Sequence, residues 1–230
     1  MKLNKFWDGL KQIANGDYVL DGDLICEEDL IIDLDDRLVV RGGIKVKKSI
    51  KAGEGIKAGC GIEAGCGIEA GEDIKAGVGI KAGEGIKAGW GIEAGEGIKA
   101  GEDIKAGEGI KAGWGIEAGC GIEAGWGIEA GEGIEAGWGI EAGCGIEAGC
   151  GIEAGWGIEA KTFIHSEKRI FAGISVYHTS ANCKKYIKCA ELRKGEICFG
   201  DLVLEEPIIE MTIAEIENKL GIKNLKIKED

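Results

Sequence analysis

The strongest constraint on this chain is an isoleucine that returns at every sixth position from Ile44 to Ile164. A typical unit reads Gly-Ile-Glu-Ala-Gly-X, in which the charged residue and X are the positions that vary. A period of six fits neither an α-helical turn nor a coiled-coil heptad. Because side chains alternate along a strand, Ile and Ala point to one side of each unit and the charged residue points to the other.

The repeat therefore predicts an all-β fold, a parallel β-helix (β-solenoid) whose triangular coil takes three units, or about 18 residues. Each side becomes a parallel sheet when the coils stack, and Ile and Ala fill the core. The glycines that flank X are expected to provide the backbone angles of a tight corner. A flatter coil of two units, or about 12 residues, is the alternative, and it would gather Trp90, Trp114, Trp126 and Trp138 on one edge.

The phase of the repeat extends beyond the strict isoleucines and predicts a solenoid over residues 19–170. Downstream it reaches Ile170. Upstream it passes through Leu20, Cys26, Ile32 and Leu38, with no insertion. Residues 1–18 are expected to form an N-terminal capping helix, because natural proteins cover the exposed strand edge at a solenoid end. The helical spacing is that of Phe6, Trp7, Leu10 and Ile13.

The C-terminal part of the chain departs from the strict repeat. Residues 171–208 are expected to continue the β-structure irregularly, and residues 209–230 to form a second short terminal helix and a tail. Thr212 and Glu215 have the spacing of a capping box, and Gly221 is a plausible C-terminal stop. This segment either caps the far end or holds a partner.

Composition narrows the possible functions. The 43 glycines and single proline exclude a collagen-like chain, and the net charge of −13 argues against direct binding of nucleic acid. A partner with a basic surface suits this charge. No apolar run is long enough for a membrane span, and the N-terminus lacks a signal-peptide core. A cytoplasmic location is therefore expected (the bacterial host cytosol if the protein is phage-encoded), with the nine cysteines mostly reduced.

The variable positions divide the repeat into two halves. From position 45 to 111 the residue after Ile is Lys nine times and Glu three times, whereas from 117 to 159 it is always Glu. Stacked like charges are unfavourable, and Trp is a typical binding anchor, so the second half predicts an acidic, Trp-edged docking surface. Its predicted partner-binding residues are Trp114, Trp126, Trp138, Trp156, Glu117, Glu123, Glu129, Glu135, Glu141, Glu147 and Glu153. Recent duplication of one block, with selection for solubility, would produce the same pattern without a binding role.

Catalytic chemistry is not expected. The chain has only two histidines, His165 and His178, and both follow the strict repeat. A metal site built from His178, Cys183, Cys189 and Cys198 is conceivable, but their spacings match no zinc ribbon. We therefore predict no enzyme activity, no cofactor and no metal. The five cysteines of the repeat never lie one coil apart, so no disulfide ladder is expected, and these thiols should be buried at the corners.

Three resemblances accompany these patterns. The form G-E-D-I-K-A-G, at 71–77 and 101–107, resembles the strand repeats of bactofilin-type polymer-forming proteins. The six-residue period is similar to the hexapeptide β-helices of acyltransferases, although those place the small residue four after the aliphatic one and here Ala follows Ile by two. The run "AGWGIEAG" and the tail "MTIAEIENKLG" resemble repeat proteins of phages and prophages.

The leading prediction is a non-enzymatic solenoid that binds a partner protein, for instance as a phage accessory or anti-defence protein. The resemblance to bactofilins implies a self-assembling scaffold, and hence a homo-oligomer, as the alternative. A DNA-mimic inhibitor is a third reading, since three Glu per coil approach the charge density of duplex DNA, one per ~1.7 Å. An acyltransferase is the least favoured, because the repeat has no extruded loop with a histidine.

Overall fold

The structure, a computed structural model, describes residues 1–173 and 185–204. They form a parallel β-solenoid of about ten turns with about 18 residues per coil. Ile62 pairs with Ile80 and Ile68 pairs with Ile86, so partners lie three repeat units, or one coil, apart. This confirms the all-β solenoid and the triangular coil, and the flatter two-unit alternative is wrong.

Three faces of parallel strands, called here faces 1, 2 and 3, run along the solenoid, and faces 1 and 3 belong to one hydrogen-bonded sheet. Face 1 contains β4 (Leu24–Cys26), β7 (Ile44–Val46), β10 (Ile62–Ala64), β13 (Ile80–Ala82), β16 (Ile98–Ala100), β19 (Ile116–Ala118), β22 (Ile134–Ala136) and β25 (Ile152–Ala154). Face 2 contains β1 (Lys2–Asn4), β5 (Leu30–Asp33), β8 (Ile50–Ala52), β11 (Ile68–Ala70), β14 (Ile86–Ala88), β17 (Ile104–Ala106), β20 (Ile122–Ala124), β23 (Ile140–Ala142), β26 (Ile158–Ala160), β28 (Tyr186–Cys189) and β30 (Asp201–Leu204). Face 3 contains β3 (Tyr18–Leu20), β6 (Leu38–Val40), β9 (Ile56–Ala58), β12 (Ile74–Ala76), β15 (Ile92–Ala94), β18 (Ile110–Ala112), β21 (Ile128–Ala130) and β24 (Ile146–Ala148), with β2 (Leu10–Gln12) antiparallel to β3.

Two long strands join faces 3 and 1 at the C-terminal end. β27 (Phe163–Ala172) pairs with β24 through Ile164 and with β25 through Ile170, so it runs from one face onto the next. β29 (Glu191–Phe199) pairs along it. The predicted extension of the repeat to Ile170 is confirmed.

The core is a stack of isoleucine and alanine. Every Ile of the strict repeat is at most 1 % exposed, and the alanines from Ala52 to Ala160 are at most 7 % exposed. Burial of one such aliphatic side chain stabilises the fold by about 1.5–3 kcal/mol. Since the residue between Ile and Ala points outward, each coil presents one charged side chain on each face.

Backbone hydrogen bonds continue through the corners as well as along the strands. The N–H of Ile128 donates to the carbonyl of Gly145 in the next coil, at 3.0 Å. The N–H groups of Gly125 and Trp126 donate to Ala106 and Glu108 in the preceding coil, at 3.0 and 3.1 Å. The corners are therefore part of the ladder, and X is held in register with the X of the neighbouring coils.

The two glycines at each corner differ in how much they are needed, and the reason is not the one that the sequence suggested. The glycines with positive φ in the described residues lie outside the strict repeat, at 9, 16, 22, 173, 195 and 200. At the first corner glycine, as at Gly125, an added Cβ would lie 2.0 Å from the carbonyl oxygen of Gly107. At the second, as at Gly127, it would lie 3.3 Å from the carbonyl of Gly145. Close contact between coils, rather than left-handed backbone, thus excludes a side chain at the first glycine.

The second corner position accepts aspartate, and the structure shows why. Asp73 Oδ1 accepts a hydrogen bond from the N–H of Gly91 at 2.9 Å, and Asp103 Oδ1 accepts one from Gly121 at 2.8 Å. Each carboxylate reaches one coil further along the solenoid. The G-E-D-I form of the repeat is therefore a corner that is fastened to its neighbour by an additional bond.

The predicted phase is wrong upstream of the strict repeat. Leu24 pairs with Ile44 and Leu30 with Ile50, so this coil is two residues longer than a regular one. The two additional residues enlarge the corner between Asp33 and Leu38, whereas Leu38 itself pairs with Ile56 one regular coil away. Because an even insertion preserves the alternation of strand side chains, Cys26 and Ile32 still point inward and are buried. They occupy the position of Ala rather than that of Ile.

The predicted N-terminal helix is also wrong. Lys2–Asn4 forms β1, which pairs with β5, and Leu10–Gln12 forms β2 against β3. The first coils offer unpaired strand edges, and both segments satisfy their backbone groups there. Gly9 and Gly16, with φ of 87° and 100°, form the turns on either side of β2. Phe6 is 85 % exposed, so the apolar spacing does not mark a buried helical face.

The predicted C-terminal helix, with Thr212 and Glu215, lies outside the described residues. Within residues 1–173 and 185–204 no helix is present. The last described strand, β30, extends face 2 by pairing with β28.

Replacing the first corner glycine should destabilise the solenoid far more than replacing the second. We expect Gly125→Ala to lower the free energy of unfolding by about 1–3 kcal/mol, the usual cost of overpacking, because its Cβ meets a backbone carbonyl. Gly127→Ala, at the same corner, is the matched control and should cost less than about 1 kcal/mol, since an ordinary small shift relieves its contact. Thermal and denaturant unfolding followed by circular dichroism measure both variants. Equal destabilisation of the two would contradict the proposed cause.

Candidate functional site

The structure distributes the predicted docking residues over all three faces and all three corners. Face 1 carries Glu117, Glu135 and Glu153, face 2 carries Glu123 and Glu141, and face 3 carries Glu129 and Glu147. The sequence therefore identified an acidic half of the solenoid rather than one surface. A partner that approaches from one side meets at most three of these carboxylates.

The corner residues form three rows, each with a spacing of one coil. Row a, between faces 3 and 1, contains Cys60, Val78, Glu96, Trp114, Glu132 and Cys150. Row b, between faces 1 and 2, contains Cys66, Glu84, Glu102, Cys120, Trp138 and Trp156. Row c, between faces 2 and 3, contains Glu72, Trp90, Glu108, Trp126 and Cys144.

Row b brings two tryptophans into contact. The rings of Trp138 and Trp156 stack with a centroid distance of 5.4 Å and an interplanar angle of 9°. Sequence reasoning missed this pair, although their separation by three repeat units is the signal that would have found it. Trp114 and Trp126 stand on rows a and c with exposed fractions of 55 % and 61 %. Face 1 is thus bordered by Trp114 on one side and by the stacked pair on the other.

The Lys-containing half and the acidic half meet in one ion pair on each face. Lys99 pairs with Glu117 on face 1 at 2.6 Å. Lys105 pairs with Glu123 on face 2 at 3.2 Å, and Lys111 with Glu129 on face 3 at 2.8 Å. The first acidic coil is therefore neutralised by the last lysine of the strict repeat on each face.

Beyond this junction four carboxylates have no ion-pair partner within the described residues. Glu135, Glu141, Glu147 and Glu153 make no ion pair with any residue of the described ranges. Glu159 differs, because Lys188 of β28 donates to it at 2.9 Å. Among the described strands, face 1 alone has two consecutive unneutralised carboxylates, Glu135 and Glu153, directly after a neutralised one.

An open groove with a volume of 1420 Å³ follows face 1 over its whole length. The outward column of face 1 and row a line it, so that Trp114 and Glu132 lie at its margin. Lys168, Arg169 and Phe171 line its C-terminal end. A second groove of 530 Å³ follows face 2, but it is lined only by residues from Ser49 to Lys105 and does not reach the acidic half. Face 1 is accordingly the face on which charge, tryptophans and concavity coincide.

Glu117, Glu135 and Glu153 form the acidic column of face 1, and one of these carboxyl groups has a shifted pKa. Loss of hydration and the neighbouring charge of Glu135 raise the pKa of Glu153 above its ordinary value. On face 3, the hydrogen bond from Lys111 to Glu129 raises the pKa of the lysine, which favours its charged form. On face 1 the charge of Glu135 thus adds to the effect of lost hydration in disfavouring the ionised form of Glu153.

The eight described cysteines are free, as expected from their placement. The predicted burial of the five repeat cysteines at the corners is wrong, because Cys60 and Cys144 are exposed and Cys66, Cys120 and Cys150 are only half-buried. Burial raises the pKa of the Cys66 and Cys120 thiols, which disfavours the reactive thiolate at neutral pH.

The candidate metal cluster lies only partly within the described residues. No three His, Cys, Asp or Glu side chains of residues 1–173 and 185–204 are grouped so that they could hold a metal ion. Two members of the candidate cluster, His178 and Cys183, lie outside those residues. Among the residues that the structure describes, no helix is long and apolar enough to span a bilayer.

Comparison with known proteins gave no significant match to a family model, a curated protein or a solved structure. The solenoid and its coil of three repeat units are therefore known from the structure itself.

The acidic column predicts a specific pH dependence of stability. The folded-state pKa of Glu153 lies above its unfolded value, so the folded protein binds more protons at this residue. The contribution of Glu153 to stability is therefore fully present below the ordinary Glu pKa of 4.5 and is lost as pH rises through the folded-state pKa. Glu153→Gln removes this effect. We expect the variant to have the higher melting temperature at pH 7, and we expect the gap to close on acidification.

Glu129→Gln is the matched control for this measurement. It removes the acceptor of the Lys111 ammonium, so at pH 7 it should lower the melting temperature slightly. Melting curves of the three proteins between pH 4 and pH 7 make the comparison. A Glu153→Gln variant that is less stable than wild type at pH 7 would show that the acidic column is not repulsive.

Proposed function

We propose that this chain is a non-enzymatic binding protein that docks a basic surface of a partner protein on the acidic half of face 1. The observation that carries this proposal is the arrangement of Glu117, Glu135 and Glu153 in one column between Trp114 and the stacked Trp138–Trp156 pair. The acidic, Trp-edged surface inferred from the sequence is thereby narrowed to one side of the solenoid.

The charges on this surface favour a cationic partner. Glu135 and Glu153 stand one coil apart and have no ion pair within the described residues, and like charges at that spacing repel. An arginine or lysine of a partner placed between them relieves the repulsion and gains two charge-assisted contacts. Such a contact is weakened by salt, because the carboxylates are exposed.

The tryptophans provide the apolar part of the surface. Large exposed aromatic side chains on a soluble protein usually mark contact with another molecule, and Trp is enriched among binding hot spots. The Trp138–Trp156 stack holds both rings in one orientation before binding. A surface ordered in advance loses less conformational entropy on association.

The geometry supports a DNA mimic less well than a docking surface for a basic protein. A DNA mimic requires an extended single surface of dense negative charge, whereas the glutamates here face three directions and the first acidic coil is neutralised by lysines.

The resemblance to phage and prophage proteins suggests an accessory or anti-defence role in a bacterial cytosol, and that role remains part of the proposal.

Charge reversal on face 1 tests the docking surface. Immobilised wild-type protein, Glu135→Lys/Glu153→Lys and the control Glu141→Lys/Glu147→Lys are exposed to a bacterial lysate at low salt, and proteins released by high salt are identified. Both variants change the net charge equally, but the control acts on faces 2 and 3. We expect the face 1 variant to lose at least about 90 % of a basic partner that the wild type and the control retain, since a reversed contact costs several kcal/mol.

The result is decided by the difference between the two variants. Equal loss in both would mean that net charge alone attracts the partner, and retention by the face 1 variant would exclude this surface. Circular dichroism confirms that each variant keeps its β-structure, since none of the four positions is in the core.

A further inference from the structure

We propose that the basic surface which fits the acidic half of face 1 is the lysine-containing half of face 1 in a second copy, so that two chains pair face to face with antiparallel axes. This inference rests on the proposed docking surface and names its partner. It follows from the order of charges along one column. From the N-terminal end that order is Lys45, Glu63, Lys81, Lys99, Glu117, Glu135 and Glu153.

The Lys99–Glu117 ion pair is the centre of this arrangement. A twofold axis that passes between these two residues, along the strand direction, sets Lys99 of each copy opposite Glu117 of the other. The four side chains then alternate in sign around a square. Because the two members of each pair are already 2.6 Å apart within one chain, the square needs no change of the fold.

The residues one coil outward explain why face 1 is favoured. Lys81 and Glu135 lie at equal distances from the centre. The twofold axis therefore places Lys81 of each copy opposite Glu135 of the other copy. Neither has an ion pair within the residues that the structure describes, and both are exposed. Two charges that are unneutralised in one chain therefore become two ion pairs in the dimer.

The other faces fit less well. On face 3 the residues around the Lys111–Glu129 pair are Glu93 and Glu147, which would place like charges together. On face 2 they are Lys87 and Glu141, but Lys87 already lies 3.9 Å from Glu69, and the groove there ends before the acidic half. Within the described part of the solenoid, only face 1 combines unneutralised opposite charges with a groove along its whole length.

The corner rows and the outermost coils are compatible with this pairing. Row a of one copy faces row a of the other. Trp114 of one copy therefore lies over Glu96 of the other copy and beside that copy's Val78, which is 40 % exposed in the single chain. Glu63 meets Glu153 at the ends, but Lys45 lies 3.3 Å from Glu63 and offsets that repulsion. Cys60 and Cys150 of opposite copies come to the same level.

The size of the contact suits a weak dimer. Seven coils at ~4.8 Å and sides of ~20 Å give an area on the order of 650 Å² per copy, slightly below the ~800 Å² of a standard stable interface. Since the contact is mostly ionic and exposed at its rim, it should dissociate as the Debye length shrinks. We expect a dimer at about 50 mM ionic strength and a monomer at about 500 mM.

A charge swap tests the pairing with the full chain. Sedimentation equilibrium at low salt compares wild type, Lys81→Glu, Glu135→Lys and the double variant Lys81→Glu/Glu135→Lys. Each single variant places like charges opposite each other twice, so dimer affinity should fall by at least about tenfold. The double variant restores opposite charges and should recover the dimer. Glu141→Lys, the same change on face 2, should leave the affinity unchanged.

Cysteine cross-linking tests the antiparallel orientation independently. A short bis-maleimide should produce a covalent dimer of the wild type through Cys60 and Cys150, and Cys60→Ser should lose it. A monomeric wild type at low salt, failure of the double variant to recover, or cross-linking that persists without Cys60 would each overturn the antiparallel pair. A monomer that nevertheless loses a foreign partner on face 1 charge reversal would leave the docking surface intact and remove only the second copy as its occupant.

Discussion

The contact between the backbones of successive coils is the constraint on which this structure depends. At the first glycine of each corner from Gly59 to Gly149, a Cβ would lie 1.8–2.2 Å from a carbonyl oxygen one coil away. No side chain fits there without displacing the chain. The same closeness allows N–H groups to donate through the corners as well as along the strands, and it gives every residue a fixed neighbour three repeat units away. The repeat is strict because a side chain at one of these glycines would displace the backbone of its own coil and of the neighbouring coil.

This constraint also determines how charge is displayed. Each face has one outward side chain per coil. A Lys or Glu at that position therefore lies beside the outward side chains of the same face in the preceding and the following coil. The lysine-containing half uses this to form ion pairs such as Lys45–Glu63 and Lys51–Glu69. In the acidic half, Glu135 and Glu153 form no such pair within the described residues, and loss of hydration together with the charge of Glu135 raises the pKa of Glu153. Exposed pairs of this kind contribute only ~0–1 kcal/mol each, so the fold tolerates their absence and the surface is free to serve recognition.

Much of the fold could be predicted from the period, because six residues per side and strand alternation determine the strands and the core. The choice of three rather than two units per coil required the strand register. The corners were harder to foresee. The two-residue insertion before Leu38 is invisible to pattern matching, since Cys26 and Ile32 keep their inward orientation. The N-terminal strands were mistaken for a helix because a spacing rule ignores the unpaired edges that β1 and β2 complete. For the site, the sequence indicated the acidic half. Only the strand register shows that Glu135 and Glu153 share a face that Glu141 and Glu147 do not. The same register brings Trp138 and Trp156 into contact.

The repeat unit is one third of a turn, and this has a genetic consequence. Loss or gain of three units, by slippage between identical blocks of coding sequence, would lengthen or shorten the rod and leave every side chain on its original face. Loss or gain of a single unit would keep the core equally well packed, since Ile and Ala recur in each, but it would rotate everything downstream by a third of a turn. Inserted between Lys99 and Glu117, one unit would move Glu135 off the side that carries Lys81. Such an event would leave the stability of the fold unchanged, but it would destroy a surface that needs residues from both halves. The number of units between the two halves is therefore a trait on which selection can act separately from stability.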